Sequence, residues 1–319
     1  DVTEKKEKNK LFSIYTGRKS MKKLETNYLQ RIFLICGLLL MLSVQQLQAG
    51  LFDDRYPSAR AMGMGGSGVA DAHGVWSSYY NPAGLSRQEN LQIGTAYMRL
   101  FNLEYFRDFF GGGAAPINSR FGGVAVAFEY FGVDYQNQNL SGEYTFALSH
   151  GFHLLRDIHS SLSFGYSLKG YHYSLGTSVD GLELGSATTL GVDMGFQASV
   201  FGRTHIGLYM LNVNAPQIGE GSKEELSQRL MAGISYQPYD GVTTSIDFNR
   251  QLQSKETEVW AGAEFRVFNY VLLRFGGTSN PNRFSAGIGL DMQQITIDYG
   301  MRTHSELGES HLVGVSYSF

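Results

Sequence analysis

The chain alternates apolar with polar or small residues, with a period of two, from Leu91 to its last residue, Phe319. Between Leu162 and Lys169, for example, leucine and aromatic residues alternate with serine, glycine and lysine. Segments of about ten residues repeat this pattern, and Gly, Asn, Asp or Pro separates them. The pattern predicts antiparallel strands with one apolar face and one polar or small face.

The alternating segments predict an all-β fold with fourteen strands. An even number of strands closes an antiparallel barrel, and closure removes the unpaired edges that lipid cannot hydrate. A secreted soluble β-protein would show the same alternation and is the alternative. The predicted strands are 91–100, 107–115, 119–131, 140–152, 160–173, 186–200, 203–213, 228–237, 242–251, 256–267, 270–278, 283–291, 295–304 and 309–319.

The predicted connections alternate in length. Segments 132–139, 174–185 and 214–227 are long, whereas the connections between them are short, the longest being 153–159. Long loops on the outside and short turns on the periplasmic side are typical of outer-membrane barrels. We therefore expect the chain to lie in a bacterial outer membrane, with lipid as its surroundings.

Aromatic residues cluster near the ends of the predicted strands. This position predicts an interfacial girdle, as aromatic side chains prefer the boundary between lipid and water. The candidate girdle residues are Tyr97, Phe101, Tyr105, Phe106, Phe109, Phe110, Tyr130, Phe131, Tyr171 and Tyr173.

The N-terminal region predicts export. Met21-Lys22-Lys23 begins a segment with a short apolar centre, Ile32 to Val44, and a small residue, Ala49, where cleavage is expected. We predict a signal peptide at 21–49 and an upstream extension at 1–20 that is not part of the fold. The apolar centre is too short for a spanning helix, which needs about 20 residues.

Composition excludes several function classes. The formal net charge is −3, so nothing predicts binding to nucleic acid. The one cysteine, Cys36, lies in the predicted signal peptide, so no disulfide framework is expected. No apolar run after residue 50 is long enough for a membrane helix.

Residues 50–90 do not alternate and carry a second motif. The sequence Arg60-Ala61-Met62-Gly63-Met64-Gly65-Gly66 is followed by Asn81-Pro82-Ala83-Gly84-Leu85. Gly63, Gly65 and Gly68 literally match GxGxxG, but a nucleotide site needs a surrounding βαβ unit, which is not predicted here. Small residues would instead let this backbone pack closely against a barrel wall.

These residues resemble the N-terminal signature of the FadL-like and PorV-like (PorV/PorQ-type) outer-membrane proteins. The resemblance implies a fourteen-stranded barrel, 91–319, with residues 50–90 folded inside it as a hatch. The signature residues are Arg60, Gly63, Gly65, Gly66, Asn81, Pro82 and Gly84. The C-terminus, with Gly314, Val315, Tyr317 and the terminal Phe319, resembles the signal that is read by the barrel-insertion machinery.

The sequence predicts no catalytic constellation, metal site or cofactor. His150 and His153 are three residues apart, which is wrong for two ligands on one face of a strand. An enzyme with dispersed catalytic residues is a minor alternative. Charges on the small-residue face are expected in the lumen, where they would anchor the hatch or line a path past it: Glu129, Lys169, Asp193, Asp247, Glu264, Arg266, Arg274, Asp291, Asp298 and Arg302.

Two functions follow from the resemblance. The first is passive transport of small hydrophobic compounds, with a site between Met62–Val69 of the hatch and the lumen wall. The second is an accessory or docking role in type IX secretion, with secreted proteins as partners. A greasy lumen would favour transport, and a sealed polar lumen with a protruding apolar loop would favour docking.

Overall fold

The computed structural model describes residues 51–52, 57–136, 138–178, 181–219 and 221–319. The predicted signal peptide, its cleavage site and the upstream extension fall outside these residues and stay predictions. Among the described residues, no helix combines the length and the apolar composition needed to cross a membrane.

Fourteen strands of the described chain form a closed antiparallel barrel, which confirms the predicted fold class. Two further short strands, β8 and β9, pair with each other in the connection after β7. The strands are β1 (Gln92–Arg99), β2 (Phe106–Asn118), β3 (Gly122–Tyr135), β4 (Gln138–Arg156), β5 (Ser160–Leu175), β6 (Ser186–Val200), β7 (Thr204–Leu211), β8 (Gln217–Ile218), β9 (Glu224–Glu225), β10 (Arg229–Tyr239), β11 (Val242–Gln251), β12 (Thr257–Phe268), β13 (Val271–Ser279), β14 (Arg283–Met292), β15 (Ile295–His304) and β16 (Gly308–Ser318).

The first and last strands close the barrel. β1 pairs with β16 from Gln92↔Ser318 to Arg99↔His311, and the terminal Phe319 N–H donates to Leu91 O at 2.9 Å. Every other barrel strand pairs with its neighbours along the chain, except that β7 pairs directly with β10 across the β8–β9 insertion.

The alternation in the sequence places apolar side chains on the outer surface of the barrel and small or polar side chains in its lumen. Apolar side chains such as Val126, Leu168 and Leu190 are 60%, 52% and 71% exposed on the outer surface. Their neighbours on the other face, such as Ala125 and Ser167, are buried in the lumen. An exposed apolar surface of this extent around a closed barrel is what a lipid environment requires.

The strands on one side of the barrel are longer than predicted. The predicted loop 132–139 is wrong, because β3 and β4 continue their ladder to Tyr135↔Gln138. The predicted turn 153–159 is likewise shorter, since β4 extends to Arg156. The residues at these strand ends do not keep the apolar alternation from which the bounds were predicted.

At least three of the predicted girdle residues lie inside instead. Tyr97, Tyr105 and Phe109 are exposed on the outside, but Phe110 and Tyr171 are 2% and 4% exposed within the lumen. Tyr173, on the same face of β5 as Tyr171, is partly buried beside it. Proximity to a strand end was the wrong criterion for these three, because the side of the sheet is set by the parity of the position.

Candidate functional site: the hatch and the outer mouth

Residues 57–90 lie inside the barrel as short helical turns. Ser58 caps a helix at Ala59–Gly63, its Oγ accepting from the Ala61 N–H at 3.2 Å, and a 3-10 segment at Pro82–Arg87 precedes β1. Ala59–Gly63 packs on β13 to β16, and Pro82–Arg87 packs on β3 to β6, on the opposite side of the lumen. This segment is the hatch that the N-terminal signature implied.

The hatch backbone fits against a belt of wall glycines. Hatch atoms occupy the space that a Cβ would take at Gly94, Gly151, Gly165, Gly195, Gly207, Gly262, Gly276 and Gly300. At Gly112 and Gly287 a hatch atom and a wall carbonyl occupy it together. At Gly65 of the hatch, φ is +73° and a Cβ would come within 2.7 Å of Gly277 N. Both the conformation and the close approach therefore require glycine there.

Hydrogen bonds fix the middle of the hatch. The Asp247 carboxylate, fully buried on β11, accepts from the N–H groups of Gly68 and Val69 at 2.7 and 3.0 Å. Asn81 donates to Phe196 O at 2.9 Å on β6 and accepts from Ala83 N within the hatch at 3.1 Å. Gly68 belongs to the literal GxGxxG match, which thus lies in a wall-bound hatch, outside any βαβ unit.

A buried network of charges anchors the first turn of the hatch. Arg60 Nε binds Glu264 on β12 at 3.0 Å, and its Nη2 binds Asp71, also in the hatch, at 2.9 Å. Arg274 on β13 joins Glu264 to Asp298 on β15, with both contacts at 2.6 Å. Five alternating charges thus tie the hatch to three strands.

The electrostatics of Asp71 reflect this network. Burial is the largest single influence and would raise the pKa of the Asp71 carboxyl, but Arg60 together with His73, Arg87 and His205 outweighs it, and the net pKa is lowered. Asp71 is therefore ionised at neutral pH, as the ion pair requires.

A second group of charges lies on the other side of the lumen. Lys169 on β5 pairs with Asp193 on β6 at 2.7 Å, and the Tyr209 hydroxyl donates to the same carboxylate at 2.7 Å. The Lys169 ammonium also lies 5.2 Å from the ring centre of Tyr79, a hatch residue. Electrostatic contact with the ring face thus adds to the hold on the hatch.

The structure places all ten predicted lumen charges on the lumen side, in four groups. Glu264, Arg274 and Asp298 form the anchoring network, while Asp247, Lys169 and Asp193 hold other parts of the hatch. Arg266 and Asp291 pair with each other at 3.0 Å in a half-exposed position. They lie at the end of the barrel where short turns join the strands, which we call the turn end. The remaining two, Glu129 and Arg302, are buried.

Two cavities lie between the hatch and the turn end of the barrel, and both are polar. One of about 420 Å³ is lined by the anchoring charges together with His73 and Gln92. The other, of about 560 Å³, is lined by hydroxyls and charges that include Arg87, His153 and Arg156. His153 binds Ser163 Oγ at 3.0 Å, and the described residues contain no cluster of His, Cys, Asp or Glu suited to a metal ion.

The site predicted between Met62–Val69 and the wall does not have the expected character. Met62, Met64 and Val69 are at most 1% exposed, and the backbone beside them touches the wall glycines directly. The space that adjoins Arg60 and Gly68 belongs to the charged 420 Å³ cavity. An apolar compound would find no apolar cavity there.

The outer mouth is different in character. Tyr171, Ile218 and Leu226 form a buried apolar cluster, against which Leu51 and Phe52 pack. The Phe52 and Tyr171 rings meet edge to face at 4.9 Å. Asn212 fixes the start of the connection that carries Ile218 and Leu226, because its side chain accepts from Tyr171 Oη at 2.9 Å and donates to Ser227 O at 2.9 Å. We call residues 212–228 the lid.

A cavity of about 310 Å³ opens beside this cluster. Its apolar lining comes from Leu51, Tyr173, Leu175, Leu184 and Ile218, and Glu224 lies at its rim. Sequence reasoning missed this site, because the lid residues come from a segment with no periodic pattern. The isolated Ile218 and Leu226 among polar residues were the available signal.

The fold resembles that of several solved structures. No protein-family model matches the chain, and no curated protein matches its sequence. Among solved structures, the Pseudomonas putida toluene transporter TodX is similar at TM-score 0.58 and 12% identity, over 85% of this chain and 99% of that one. The Ralstonia pickettii toluene transporter TbuX is similar at TM-score 0.57 and 13% identity, over 82% and 98%.

A Pseudomonas aeruginosa FadL homologue is similar at TM-score 0.53 and 9% identity, over 83% of this chain and 98% of that one. Together with the apolar outer surface and the internal hatch, this defines the class: the protein is a hatch-plugged β-barrel of the outer-membrane type. Its fold is FadL-like, as the N-terminal signature predicted.

Proposed function

We propose that this protein carries small hydrophobic compounds into or across the outer membrane and captures them in the 310 Å³ cavity at the outer mouth. The observation that supports this most directly is the contrast between cavities. The outer one is lined by five large apolar or aromatic side chains, whereas both cavities below the hatch are polar. Two of the similar structures are named as toluene transporters.

The size of the outer cavity suits a small ligand. Its volume lies at the lower end of the range of about 300–1,000 Å³ that is typical of ligand pockets. Its apolar lining and the absence of a buried ion pair in it favour a compound of one aromatic ring or a short hydrocarbon, since such a ligand leaves no polar group unpaired.

Binding of toluene to the purified barrel in detergent, measured by saturation-transfer NMR, tests the proposal. Leu184→Asp replaces an apolar side chain of the cavity lining with a hydrated carboxylate and should weaken binding by roughly tenfold, because the ligand loses apolar contact and must displace water from the charge. Leu182→Asp is the matched control, since Leu182 is 67% exposed in the same loop and does not line the cavity. Equal binding by both variants, or no binding by the unsubstituted protein, would contradict the proposal.

A docking role in secretion, of the PorV/PorQ type, is the second candidate. The polar, closed lumen favours it, and so does the exposure of Leu182 and Leu307 in the outer connections. A barrel that binds no toluene and conducts none into liposomes, yet folds normally, would favour this role over transport.

A further inference from the structure

The barrel wall is incomplete above β7. β5 and β6 pair over fifteen positions, up to Ser174↔Ser186, but β7 pairs with β6 only from Met194↔Met210 to Val200↔Thr204. The outer half of β6, from Ser186 to Asp193, therefore has a ladder partner on one side only. We call this the free edge of β6.

The lid covers only the lower part of the free edge. Val192 O accepts from Val213 N at 2.7 Å, and the Asn214 side chain accepts from Val192 N and donates to Leu190 O, each at 2.9 Å. The Asn214 side chain thus supplies the two hydrogen bonds that one residue of a neighbouring strand would make. The Asn212 N–H also donates to the Asp193 side chain at 2.9 Å.

The main chain beyond Leu190 has no such cover. Main-chain groups of alternate strand residues point to the same side. Thr188 and Ser186 therefore direct their N–H and C=O groups to the side on which Val192 meets the lid. In the described part of the chain, no hydrogen bond reaches these groups on that side. Two repeats of an edge strand are thereby left open to pairing.

The open end of the free edge, from Ser186 to Thr188, lies above the membrane. Thr188 lies twelve residues before Val200, the inner end of β6. At ~3.3 Å per residue and a tilt of ~45°, this corresponds to a height of about 28 Å, whereas the apolar band of such barrels is about 25 Å tall. The open groups are therefore in water on the outer side, where a soluble segment can reach them.

The surroundings of the edge specify what it would accept. The 310 Å³ cavity is lined by Ser186 and Ala187 of the edge on one side and by Ile218 of β8 on the other. The exposed Glu224 lines it, and the exposed Glu183 and Glu225 are next in the chain to lining residues. The bases nearby in the described residues are Lys223 and His172, whose Nδ1 lies 2.8 Å from Thr188 Oγ1. An extended segment with alternating apolar and basic side chains would match the edge, the cavity and the rim.

We propose that the free edge of β6 is a docking site for an extended, basic and apolar segment of a partner protein, which binds by adding a strand beside Ser186–Leu190. In this mode, main-chain hydrogen bonds give affinity and side-chain pockets give specificity. The proposal stands on strand pairing and charge, and does not depend on hydrocarbon transport.

A second copy of the chain is a poor occupant of the edge. Two barrels in one membrane are related by an axis along the membrane normal, so both β6 strands would run the same way and tilt in opposite directions across the interface. With a tilt of ~35–45° for each strand, they would cross at ~70–90° and could not form a ladder.

The test uses a labelled nine-residue peptide of alternating lysine and valine, with fluorescence anisotropy on the full-length barrel in detergent. Thr188→Pro removes the open N–H group but not a hydrogen bond to β5, and should weaken binding at least tenfold. Thr188→Val keeps that N–H and should bind within about twofold of the unsubstituted protein. A peptide N-methylated at alternate residues keeps the charge and apolar surface, and should also bind at least tenfold more weakly.

Amide exchange gives a second readout that requires no variant. The Thr188 N–H should exchange rapidly in the free protein and become protected when the peptide is added, whereas the N–H groups of Ala187 and Thr189, which face β5, should be protected in both states. Equal binding of the N-methylated peptide would overturn the proposal by showing that charge and apolar contact suffice. Protection without peptide would overturn it as well, since the edge would be occupied by this chain itself or by a second copy.

Discussion

The two closures of the lumen are built from different chemistry. The hatch is held by alternating charges, by hydrogen bonds to Asp247 and by main-chain contact with wall glycines. The outer mouth is closed by a few apolar side chains around Tyr171 and by one polar hinge at Asn212. The ion pairs and hydrogen bonds of the hatch are directional and fix its position, whereas the apolar contacts of the outer mouth tolerate displacement. The difference indicates that the outer mouth opens at a lower cost in free energy than the hatch.

The largest effect is expected at Arg274, the centre of the anchoring network. Arg274 is 1% exposed and holds both Glu264 and Asp298, so Arg274→Met leaves the Asp298 carboxylate without its cation and leaves Glu264 with Arg60 alone. We expect a loss of about 3–5 kcal/mol in unfolding free energy, measured by urea titration in detergent. Arg266→Met is the matched control, since its pair with Asp291 is half exposed and should contribute no more than about 1 kcal/mol. Similar losses for both would show that burial does not distinguish the two pairs.

A somewhat smaller effect is expected at the glycine belt. A Cβ at Gly276 would collide with the Gly65 N–H on the hatch, where only backbone could give way. Gly276→Ala should therefore cost roughly 2–4 kcal/mol and expose the hatch to protease. Gly113→Ala adds a methyl group to an adequate space, 3.5 Å from its nearest neighbour, and should leave both readouts unchanged. A protease-resistant hatch in Gly276→Ala would contradict the close packing described above.

The smallest global effect is expected at the lid. Leu226→Ala removes a buried side chain from the outer cluster, which is separate from the barrel wall. We expect faster amide exchange within residues 212–228, by about tenfold, and little change in the unfolding midpoint of the barrel. Leu307→Ala, at a residue 51% exposed in another outer connection, should change neither. A large fall in the midpoint for Leu226→Ala would mean that the lid and the barrel unfold as one unit.

The barrel could be predicted because period-two alternation is a direct consequence of lipid on one side and lumen on the other. This held for all fourteen barrel strands. It failed at 132–139, where β3 and β4 continue with residues that do not keep the clear alternation. The N-terminal signature likewise predicted the hatch, because its glycines and Asn81 meet a geometric demand that few other residues satisfy.

The outer mouth could not be predicted in the same way. Tyr171 was assigned to the girdle, although its parity places it in the lumen with Ile218 and Leu226. The lid contacts join residues that are far apart in the chain and share no repeat. The free edge of β6 is equally invisible to pattern analysis, because it depends on where β7 ends and not on the sequence of β6.

The pairing of β1 with β16 has a consequence for the order of assembly. Each hairpin of the barrel joins residues close in the chain, but Gln92 and Ser318 are more than 200 residues apart. Loop-closure entropy for such a separation is about 5 kcal/mol, and this cost must be met before the closing ladder can form. The closing step therefore comes last and is intrinsically slow. Until β1 and β16 pair, the sheet has two unpaired edges at which it can aggregate. The rate of this pairing therefore determines how long the chain remains prone to aggregation.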